Sequence, residues 1–260
     1  MTGDDDLGAL LDDLAAEHAV LDAVVARLPD GSWATPTPAP GWTVAHQISH
    51  LTYFDGQVVL AATDAAAFEA GRDALLADPG SFDMAGPWAG DAPADLLARW
   101  RAARLGIREA FAGLSARDRL PWYGPPMSAR SSITARLMET WAHGVDVTDG
   151  LGLPPSSSAR LRHVAHLGFV TRGFSYAVRG QEAPVEPVAL VLDAPDGDRW
   201  TWGEADAAER IEGPALDFCL AVTQRRPLDA LALSATGPAA TGWLAVAQAF
   251  AGGPTTTTRA

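Results

Sequence analysis

The stretch Gly-Trp-Thr-Val-Ala-His-Gln-Ile-Ser-His-Leu at residues 41–51 places two histidines, His46 and His50, one helical turn apart. Residues four apart lie on the same face of an α-helix, so both imidazoles can point in one direction. A single histidine on a helix is usually structural or solvated. A pair at this spacing is more informative when a second segment repeats it.

The stretch Arg-Leu-Met-Glu-Thr-Trp-Ala-His-Gly-Val-Asp at residues 136–146 repeats the spacing with Glu139 and His143. A neutral imidazole and a carboxylate are common ligands of divalent metals, zinc above all. Two such helices facing each other would form a mixed His/carboxylate site with an open position. The alternative is that these are ordinary helix residues, since short motifs also match by chance. A metal site would indicate an enzyme.

Composition narrows the class of protein. The 260-residue chain is 48% hydrophobic, has a net charge of −13, and starts with the acidic Met-Thr-Gly-Asp-Asp-Asp. This charge disfavours nucleic acid and anionic membranes as partners. No apolar run is long enough to cross a bilayer, and the start lacks the basic residues of a signal peptide. We expect a cytoplasmic protein that binds neither nucleic acid nor membrane.

Two residue types limit the chemistry further. All 19 residues counted as Lys or Arg are arginine, which rules out a catalytic lysine. The single cysteine, Cys219, lies in the apolar run Leu-Asp-Phe-Cys-Leu-Ala-Val. It has no partner for an intrachain disulfide, and its setting favours a buried structural thiol over a nucleophile.

Apolar residues recur at helical spacing in four long segments, which predicts a four-helix bundle. The predicted helices cover 7–28, 43–62, 92–114 and a segment from Ser128 or Ser131 to about Asp149, with a shorter helix over 64–77. Thr43 is expected to cap the second helix. The Pro- and Gly-rich stretch from Arg119 to Met127 is predicted to be irregular.

The pattern changes after Pro154 and Pro155 to short helices and strands. The predicted helices cover 156–178, 214–224 and 239–251, and the predicted strands 188–192, 199–203, 209–212 and 229–235. The fold class is therefore mainly α with an α+β part. We expect a metal-binding bundle at 1–154, a small α+β domain at 155–254 and a disordered tail at 255–260.

Several motifs resemble one family of metalloenzymes. Pro-Gly-Trp-Thr-Val at 40–44, followed by His50-Leu51, looks like the start of the second helix in DinB-like metalloenzymes, in particular the mycothiol-dependent maleylpyruvate isomerase family. Further similarity, in part to an actinobacterial subgroup, lies at 127–130, 135–144, 202–203 and 213–220. The resemblance implies a DinB-like four-helix bundle followed by a small α+β domain. It also implies zinc, or another divalent metal, held by His50, Glu139 and His143, with mycothiol as co-substrate.

Other residues near these motifs are candidates for the site. His46 departs from the family pattern. Its alternative roles are a fourth ligand, a hydrogen-bond partner of a ligand, a catalytic base or a solvated side chain. Arg136 shares a helix face with Glu139, so it is a clamp for a substrate carboxylate or one half of a salt bridge. Asp146 is placed to orient His143. Trp122 and Tyr123 are expected to line the mouth of the pocket, where they would contact the thiol or the substrate.

The expected function is that of a metal-dependent, mycothiol-using S-transferase or cis–trans isomerase acting on a small electrophilic metabolite. One alternative is a secondary-metabolism cyclase or isomerase on the same scaffold, with the metal as Lewis acid or dispensable. A second alternative is a non-catalytic ligand-binding protein. The partners are a small-molecule substrate and a low-molecular-weight thiol, and the oligomeric state, a homodimer included, stays open.

Overall fold

The computed structural model describes residues 5–78, 80 and 83–253. The chain divides into two compact units, residues 1–155 and 156–260. The tail expected at 255–260 lies outside the described residues. The domain limits derived from the sequence stay predictions.

Unit 1 is a bundle of long helices, as the apolar periodicity predicted. Its helices are α1 (Asp5–Val25), α2 (Val44–Thr63), α3 (Ala65–Ala77), α4 (Pro93–Phe111) and α5 (Ala129–Gly150). A 3₁₀ turn, Asp30–Ala34, follows α1. Helix α2 packs on α4 and α5, and α1 packs mainly on α5. This arrangement brings the two helices that carry the candidate ligands face to face.

The core of the bundle is apolar and draws on α1, the 3₁₀ turn, α2, α4 and α5. Its buried members are Leu21, Val25, Trp33, Val44, Ile48, Leu51, Leu96, Trp100 and Val147. Burial of side chains of this size contributes about 1.5–3 kcal/mol each. The core therefore fixes which faces of α2 and α5 meet.

The segment before α2 is held in a defined turn. Pro36 and Thr43 form a β-bridge, and the Thr37 amide donates to the carbonyl of Trp42 at 2.8 Å. Gly41 has φ +77°, a value that glycine adopts readily. A Cβ at Gly150 would lie 2.6 Å from the Pro36 carbonyl oxygen, so glycine lets the end of α5 approach this turn. Trp42 is thereby fixed at the start of α2.

The stretch from Arg119 to Met127, expected to be irregular, has a short strand at each end. Strands β1 (Arg119–Leu120) and β2 (Met127–Ser128) pair antiparallel, with Leu120 opposite Met127. The prolines and glycine lie in the turn between the strands, where they need no ladder hydrogen bonds. The ladder fixes both ends of the loop that carries Trp122 and Tyr123.

Unit 2 is the α+β part of the chain. Its elements are α6 (Leu161–Val170), α7 (Arg172–Ala177), β3 (Val188–Asp193), β4 (Arg199–Trp202), β5 (Glu209–Pro214), α8 (Ala215–Val222), β6 (Ser234–Thr236) and α9 (Pro238–Val246). The sheet order is β4-β3-β5-β6, with β3 and β5 parallel and the other pairs antiparallel. The hairpin signal around Ala194–Asp198 is confirmed, because Asp193 pairs with Arg199.

Three predicted elements of unit 2 are wrong in extent, and one of them is the helix expected over 239–251, which ends at Val246. The helix expected over 156–178 begins at Leu161 and breaks at Thr171, whose hydroxyl has Leu167 O at 2.8 Å and Gln248 O at 3.1 Å as acceptors for its single proton. The strand expected over 229–235 is instead a 3₁₀ turn, Leu228–Ala230, followed by the short β6. The break at Thr171 and the position of β6 depend on partners that are distant in sequence, Gln248 and β5 respectively.

Among the described residues, no helix has the length and hydropathy needed to cross a membrane.

We predict that Gly168→Ala destabilises unit 2 by about 1–3 kcal/mol, the usual cost of overpacking a core. A Cβ at Gly168 would lie 2.9 Å from both methyl groups of Val222 and 3.1 Å from Phe218, and both neighbours are fully buried. Urea unfolding of the full chain measures the change. Gly173→Ala on α7 is the control, because a Cβ there meets no described atom within 4 Å. Equal stability of the two variants would contradict the prediction.

Candidate metal centre

Three side chains converge between α2 and α5. His50 comes from α2, and Glu139 and His143 come from consecutive turns of α5. One ligand atom from each lies within 4.8 Å of the others. The two imidazole centroids are 4.4 Å apart, and His143 Nε2 is 3.3 Å from Glu139 Oε2. The structure thus brings together the three residues that the resemblance indicated, in a set of the kind that holds a metal ion.

The proton of each imidazole can be placed from its partner. His50 Nδ1 lies 2.6 Å from the carbonyl oxygen of Met84. A carbonyl oxygen only accepts, so Nδ1 carries the hydrogen and Nε2 keeps its lone pair. His143 Nδ1 lies 2.5 Å from Gln47 Oε1, and the same argument applies. The Nε2 atom of His50, and that of His143 when its ring is neutral, therefore carry the lone pairs that a metal would bind.

The amide of Gln47 is itself held in one orientation. Its Nε2 donates to Thr37 Oγ1 at 2.9 Å, and that hydroxyl donates to the Trp42 carbonyl at 3.1 Å. Because the amide nitrogen is committed to Thr37, the amide oxygen must face His143. Gln47 is fully buried, so water does not compete for these bonds. Partners of this type fix the tautomer and the ring orientation of a metal-binding histidine.

The protonation states also suit a metal. Burial lowers the pKa of His50 to about 3, and the charge of His143 acts in the same direction. Burial raises the pKa of Glu139, but the hydrogen bond with His143 and the nearby positive charges outweigh it and lower that pKa to about 2. At neutral pH, His50 is thus a neutral donor and Glu139 a carboxylate.

The donor set fits a divalent metal. When His143 is neutral, its Nε2 lone pair faces the Glu139 carboxylate at 3.3 Å with no proton between them. Either a proton on His143 or a cation must offset this repulsion. Two imidazoles and one carboxylate are a common zinc set that leaves a coordination position open. Glu139 is 23% exposed in its side chain, which leaves the cluster approachable from that side.

Aromatic rings surround the imidazoles. The Trp42 ring centroid is 5.2 Å from that of His50 and 6.1 Å from that of His143, nearly parallel to the latter. Phe54 lies 4.7 Å from His50. Trp42 and Phe54 are both half-buried residues. The candidate ligands are therefore flanked by apolar surface.

The sequence-predicted aromatic residues of the loop lie behind Phe54. The centroids of Trp122 and Tyr123 are 6.4 and 5.9 Å from that of Phe54. Trp122 stacks on Phe68 at 5.6 Å, and the Tyr123 hydroxyl donates to Gln57 at 3.1 Å. Burial raises the pKa of Tyr123, which keeps it protonated. A direct role for either residue in binding stays a prediction.

His46 lies outside the cluster of three. Its Nδ1 accepts the Thr43 amide at 3.2 Å and lies 2.8 Å from the Thr43 hydroxyl, in a capping box at the start of α2. This arrangement confirms Thr43 as the helix cap and gives His46 a structural task. The predicted role of His46 as a base would require its Nδ1 to leave the cap or its Nε2 to give up a proton, and it stays a prediction.

Arg136 forms the salt bridge that the sequence left open as an alternative to a substrate clamp. Its Nε donates to Asp55 Oδ1 at 3.0 Å, and Nη2 lies 3.0 Å from the same oxygen. Asp55 also accepts from Trp100 Nε1 at 3.2 Å and lies 3.5 Å from His18 Nε2. Both partners of the salt bridge are buried. The guanidinium is therefore directed into the bundle.

Sequence reasoning missed the residues that orient the ligands. The carbonyl of Met84 and the amide of Gln47 come from segments distant from their partners, so no local spacing indicates them. Asp146, predicted to orient His143, has its Oδ2 4.0 Å from Nδ1, whereas Gln47 is at 2.5 Å. The one available signal for Gln47 was a polar residue on a helix face that is otherwise buried.

We predict that His50 makes the metal-free protein acid-labile. Its folded pKa of about 3 lies below the ordinary 6.5, so the unfolded chain takes up a proton that the folded chain refuses. Stability should fall as pH drops from 6.5, with a slope of at most about 1.4 kcal/mol per pH unit from this group. Urea unfolding of the chelator-treated protein and of His50→Asn between pH 6.5 and 4.5 measures the difference. Parallel curves would contradict the assignment.

Comparison with known proteins supports a shared fold. A crystal structure of a mycothiol-dependent maleylpyruvate isomerase superposes with a TM-score of 0.57 at 17% identity, covering 90% of this chain and 96% of that one. A histidine-to-alanine mutant of a mycothiol-dependent maleylpyruvate isomerase gives 0.56 at 16% identity, with the same coverage. At such identities the likeness shows the fold alone. It confirms the predicted DinB-like bundle followed by a small α+β domain.

Sequence comparison identifies close relatives and the family. Two proteins from two strains of Mycobacterium tuberculosis, both described as uncharacterized, are 49% identical over 251 residues, which is 96% of this chain and 98% of theirs. A family model described as wyosine base formation matches residues 194–236, within unit 2. The model of the mycothiol maleylpyruvate isomerase N-terminal domain matches residues 14–148, more than half of the chain, and this range includes all three candidate ligands. The chain therefore belongs to the DinB-like, mycothiol-dependent maleylpyruvate isomerase family.

Proposed function

We propose that this protein is a metal-dependent enzyme that uses mycothiol, a low-molecular-weight thiol, in an S-transfer or cis–trans isomerisation of a small electrophile. The convergence of His50, Glu139 and His143, with both Nδ1 hydrogens already bound to oxygen, carries the proposal. The structurally similar isomerase is mycothiol-dependent, and this supports the use of the thiol.

The three candidate ligands and their hydrogen-bond partners have different roles in binding the metal. Met84 and Gln47 accept from Nδ1 of the imidazoles, which leaves Nε2 of each neutral ring to bind the metal. Glu139 supplies the negative charge of the set. A divalent ion such as zinc, when bound here, would offer an open position and promote ionisation of a thiol placed there. Trp42 and Phe54 would exclude water from the thiol sulfur and hold the electrophile beside it.

The chemistry balances without an oxidant or reductant. In the addition reaction, a bond forms from the thiol sulfur to an alkene carbon while the π bond breaks. The thiol proton ends on the neighbouring carbon. The adduct is the product of S-transfer. In isomerisation, rotation about the new single bond precedes elimination, which returns the thiol and the other geometric isomer.

The chain itself does not provide an accessible thiol. Cys219 is fully buried on α8, and burial raises the pKa of its thiol well above the usual range. A buried, protonated cysteine is a poor nucleophile. The sulfur nucleophile of the proposed reaction must therefore come from solution.

We predict one divalent metal per chain, most readily zinc, in protein purified without an affinity tag. Elemental analysis should show that Glu139→Ala and His143→Ala lose the metal, because each removes a ligand, whereas His46→Ala keeps it. Stoichiometric metal that survives both ligand substitutions would reject this ligand set. Loss of metal in His46→Ala alone would make the site a closed, four-ligand one, as in structural zinc centres.

The affinity for the metal tests Gln47, the hydrogen-bond partner of His143. Gln47→Ala should weaken metal affinity about 10–100-fold, the usual effect of removing a hydrogen-bond partner of a ligand. Gln57→Ala is the matched control, since this glutamine lies on the same helix but contacts Tyr123. Competition with a chelator measures both affinities. An unchanged affinity in Gln47→Ala would remove Gln47 from the site.

We predict that turnover requires an added thiol. The protein would be assayed with mycothiol and a panel of activated alkenes, with adducts and isomers followed by mass and chromatography, and with Glu139→Ala in parallel. Equal turnover in thiol-free buffer would reject the mechanism and favour the metal as Lewis acid, or a reaction without metal. Stoichiometric metal without turnover of any electrophile would favour a ligand-binding protein.

A further inference from the structure

A short segment before α4 supplies the hydrogen-bond partner of His50. The Met84 carbonyl oxygen lies 2.6 Å from His50 Nδ1, although Met84 itself is 55% exposed. The two residues are 34 positions apart, and the segment 83–91 consists of turns without a helix or strand. A carbonyl group in such a segment is held by contacts made elsewhere along it. Those contacts therefore decide whether the hydrogen of His50 stays on Nδ1.

A turn built on Asp83 contains Met84. The Ala85 amide donates to Asp83 Oδ1 and the Gly86 amide donates to the Asp83 carbonyl oxygen, both at 2.9 Å. Aspartate side chains commonly take the place of a backbone acceptor in turns. Neither bond uses the Met84 carbonyl oxygen, which is therefore available for a partner outside the turn. That partner is His50.

Ser49 attaches the segment to α2. It directly precedes His50 in the chain and is fully buried. Its Oγ accepts a hydrogen bond from the Trp88 amide at 3.1 Å. Proline has no amide hydrogen, so Trp88 carries the first backbone donor that follows Gly86 in the sequence Gly-Pro-Trp. The Ser49 hydroxyl therefore fixes the segment on α2 directly after the turn.

Gly86 allows the turn to lie directly against the helix. Its φ is +79°, in the left-handed region that favours glycine. A Cβ at this position would lie 2.9 Å from both the carbonyl oxygen and Oγ of Ser49, closer than real Cβ atoms approach. The Ser49 carbonyl belongs to α2 and cannot move away without distorting the helix. A larger residue would therefore push the turn, and the Met84 carbonyl with it, away from His50.

The far end of the segment is anchored by contacts that do not involve Ser49. The Trp88 ring packs against the core of the bundle, and the Arg99 guanidinium from α4 lies 5.0 Å from its centroid. Arg99 also forms a salt bridge with Asp91 at 3.3 Å. Loss of the Ser49 hydrogen bond should therefore loosen the turn around Met84 without releasing the whole segment from the bundle.

Building on the proposed function, we propose that Ser49 and Gly86 are positioning residues of the metal centre, which hold the Met84 carbonyl against His50 and so keep the hydrogen of the neutral ring on Nδ1. Neither residue belongs to the candidate ligand set. Both act through the one hydrogen bond between Met84 and His50. Without this bond the ring can carry its hydrogen on Nε2, and a hydrogen there blocks coordination by that nitrogen.

Nitrogen NMR of the metal-free protein, with isotopically labelled histidine, reports the position of this hydrogen. The two tautomers differ in their ring nitrogen shifts, and the His50→Asn variant identifies the signals of His50. Wild type should carry the hydrogen on Nδ1 alone, whereas Ser49→Ala and Gly86→Ala should each show a population with the hydrogen on Nε2. A purely structural role would leave the tautomer unchanged. The same tautomer in wild type and both variants would overturn the proposal.

Competition with a chelator measures the consequence for zinc affinity. Ser49→Ala and Gly86→Ala should each weaken the affinity about tenfold or more, as expected when a ligand loses its hydrogen-bond partner. Gly90→Ala is the matched control and should keep the wild-type affinity, because it lies in the same segment and its Cβ would find no atom of the described residues within 4 Å. If Gly86→Ala does not fold, Ser49→Ala decides the test, since it removes the hydroxyl without adding volume.

The two measurements separate this inference from the proposed function. A changed tautomer in the variants of a protein that binds no metal would reject the metal centre and retain the role of Ser49 and Gly86 in orienting His50. Zinc affinity that is equal in wild type and in both variants would retain the metal centre and reject the two residues as positioning residues.

Discussion

The register between α2 and α5 is the constraint on which the site depends. Two buried polar contacts cross this interface, from Gln47 to His143 and from Asp55 to Arg136. The residue numbers rise along α2 as they fall along α5, as expected for antiparallel helices. A shift of the helices would separate both contacts and leave a buried charge without a partner, at a cost of about 3–5 kcal/mol. His50 and Glu139 lie between the two contacts, so the same register brings them together.

Local pattern was sufficient for only part of this site. Glu139 and His143 could be predicted because their proximity follows from helix geometry alone. His50 lies on a different helix, and its position beside them depended on tertiary packing, which the family resemblance supplied. His46 shows the limit of spacing as evidence. It lies four residues before His50 on the same helix, but it is the third residue of that helix and its ring takes part in the cap. There its ring takes the place that Glu or Gln usually has in a capping box.

The fold shows the same division between local and remote causes. The long helices of unit 1 were predictable because each carries an apolar stripe over several turns, which leaves little freedom in type or face. The break at Thr171 was not, because the threonine hydroxyl lies 3.1 Å from the carbonyl oxygen of Gln248, a residue 77 positions away in the sequence. The pairing of β1 with β2 was missed for a related reason. Each strand has two residues, too few for any period to be visible.

Asp55 and its partner Arg136 link the buried core of the bundle to the charge state of the candidate site. A carboxylate at this depth is tolerated because Arg136, Trp100 and His18 surround it, and the charge of Arg136 lowers its pKa despite the opposing effect of burial. The Arg136 charge also helps to keep Glu139 ionised. The guanidinium therefore acts on the site through its field while its hydrogen bonds serve the bundle. A protein that used the same arginine to hold a substrate anion would need another cation to balance Asp55.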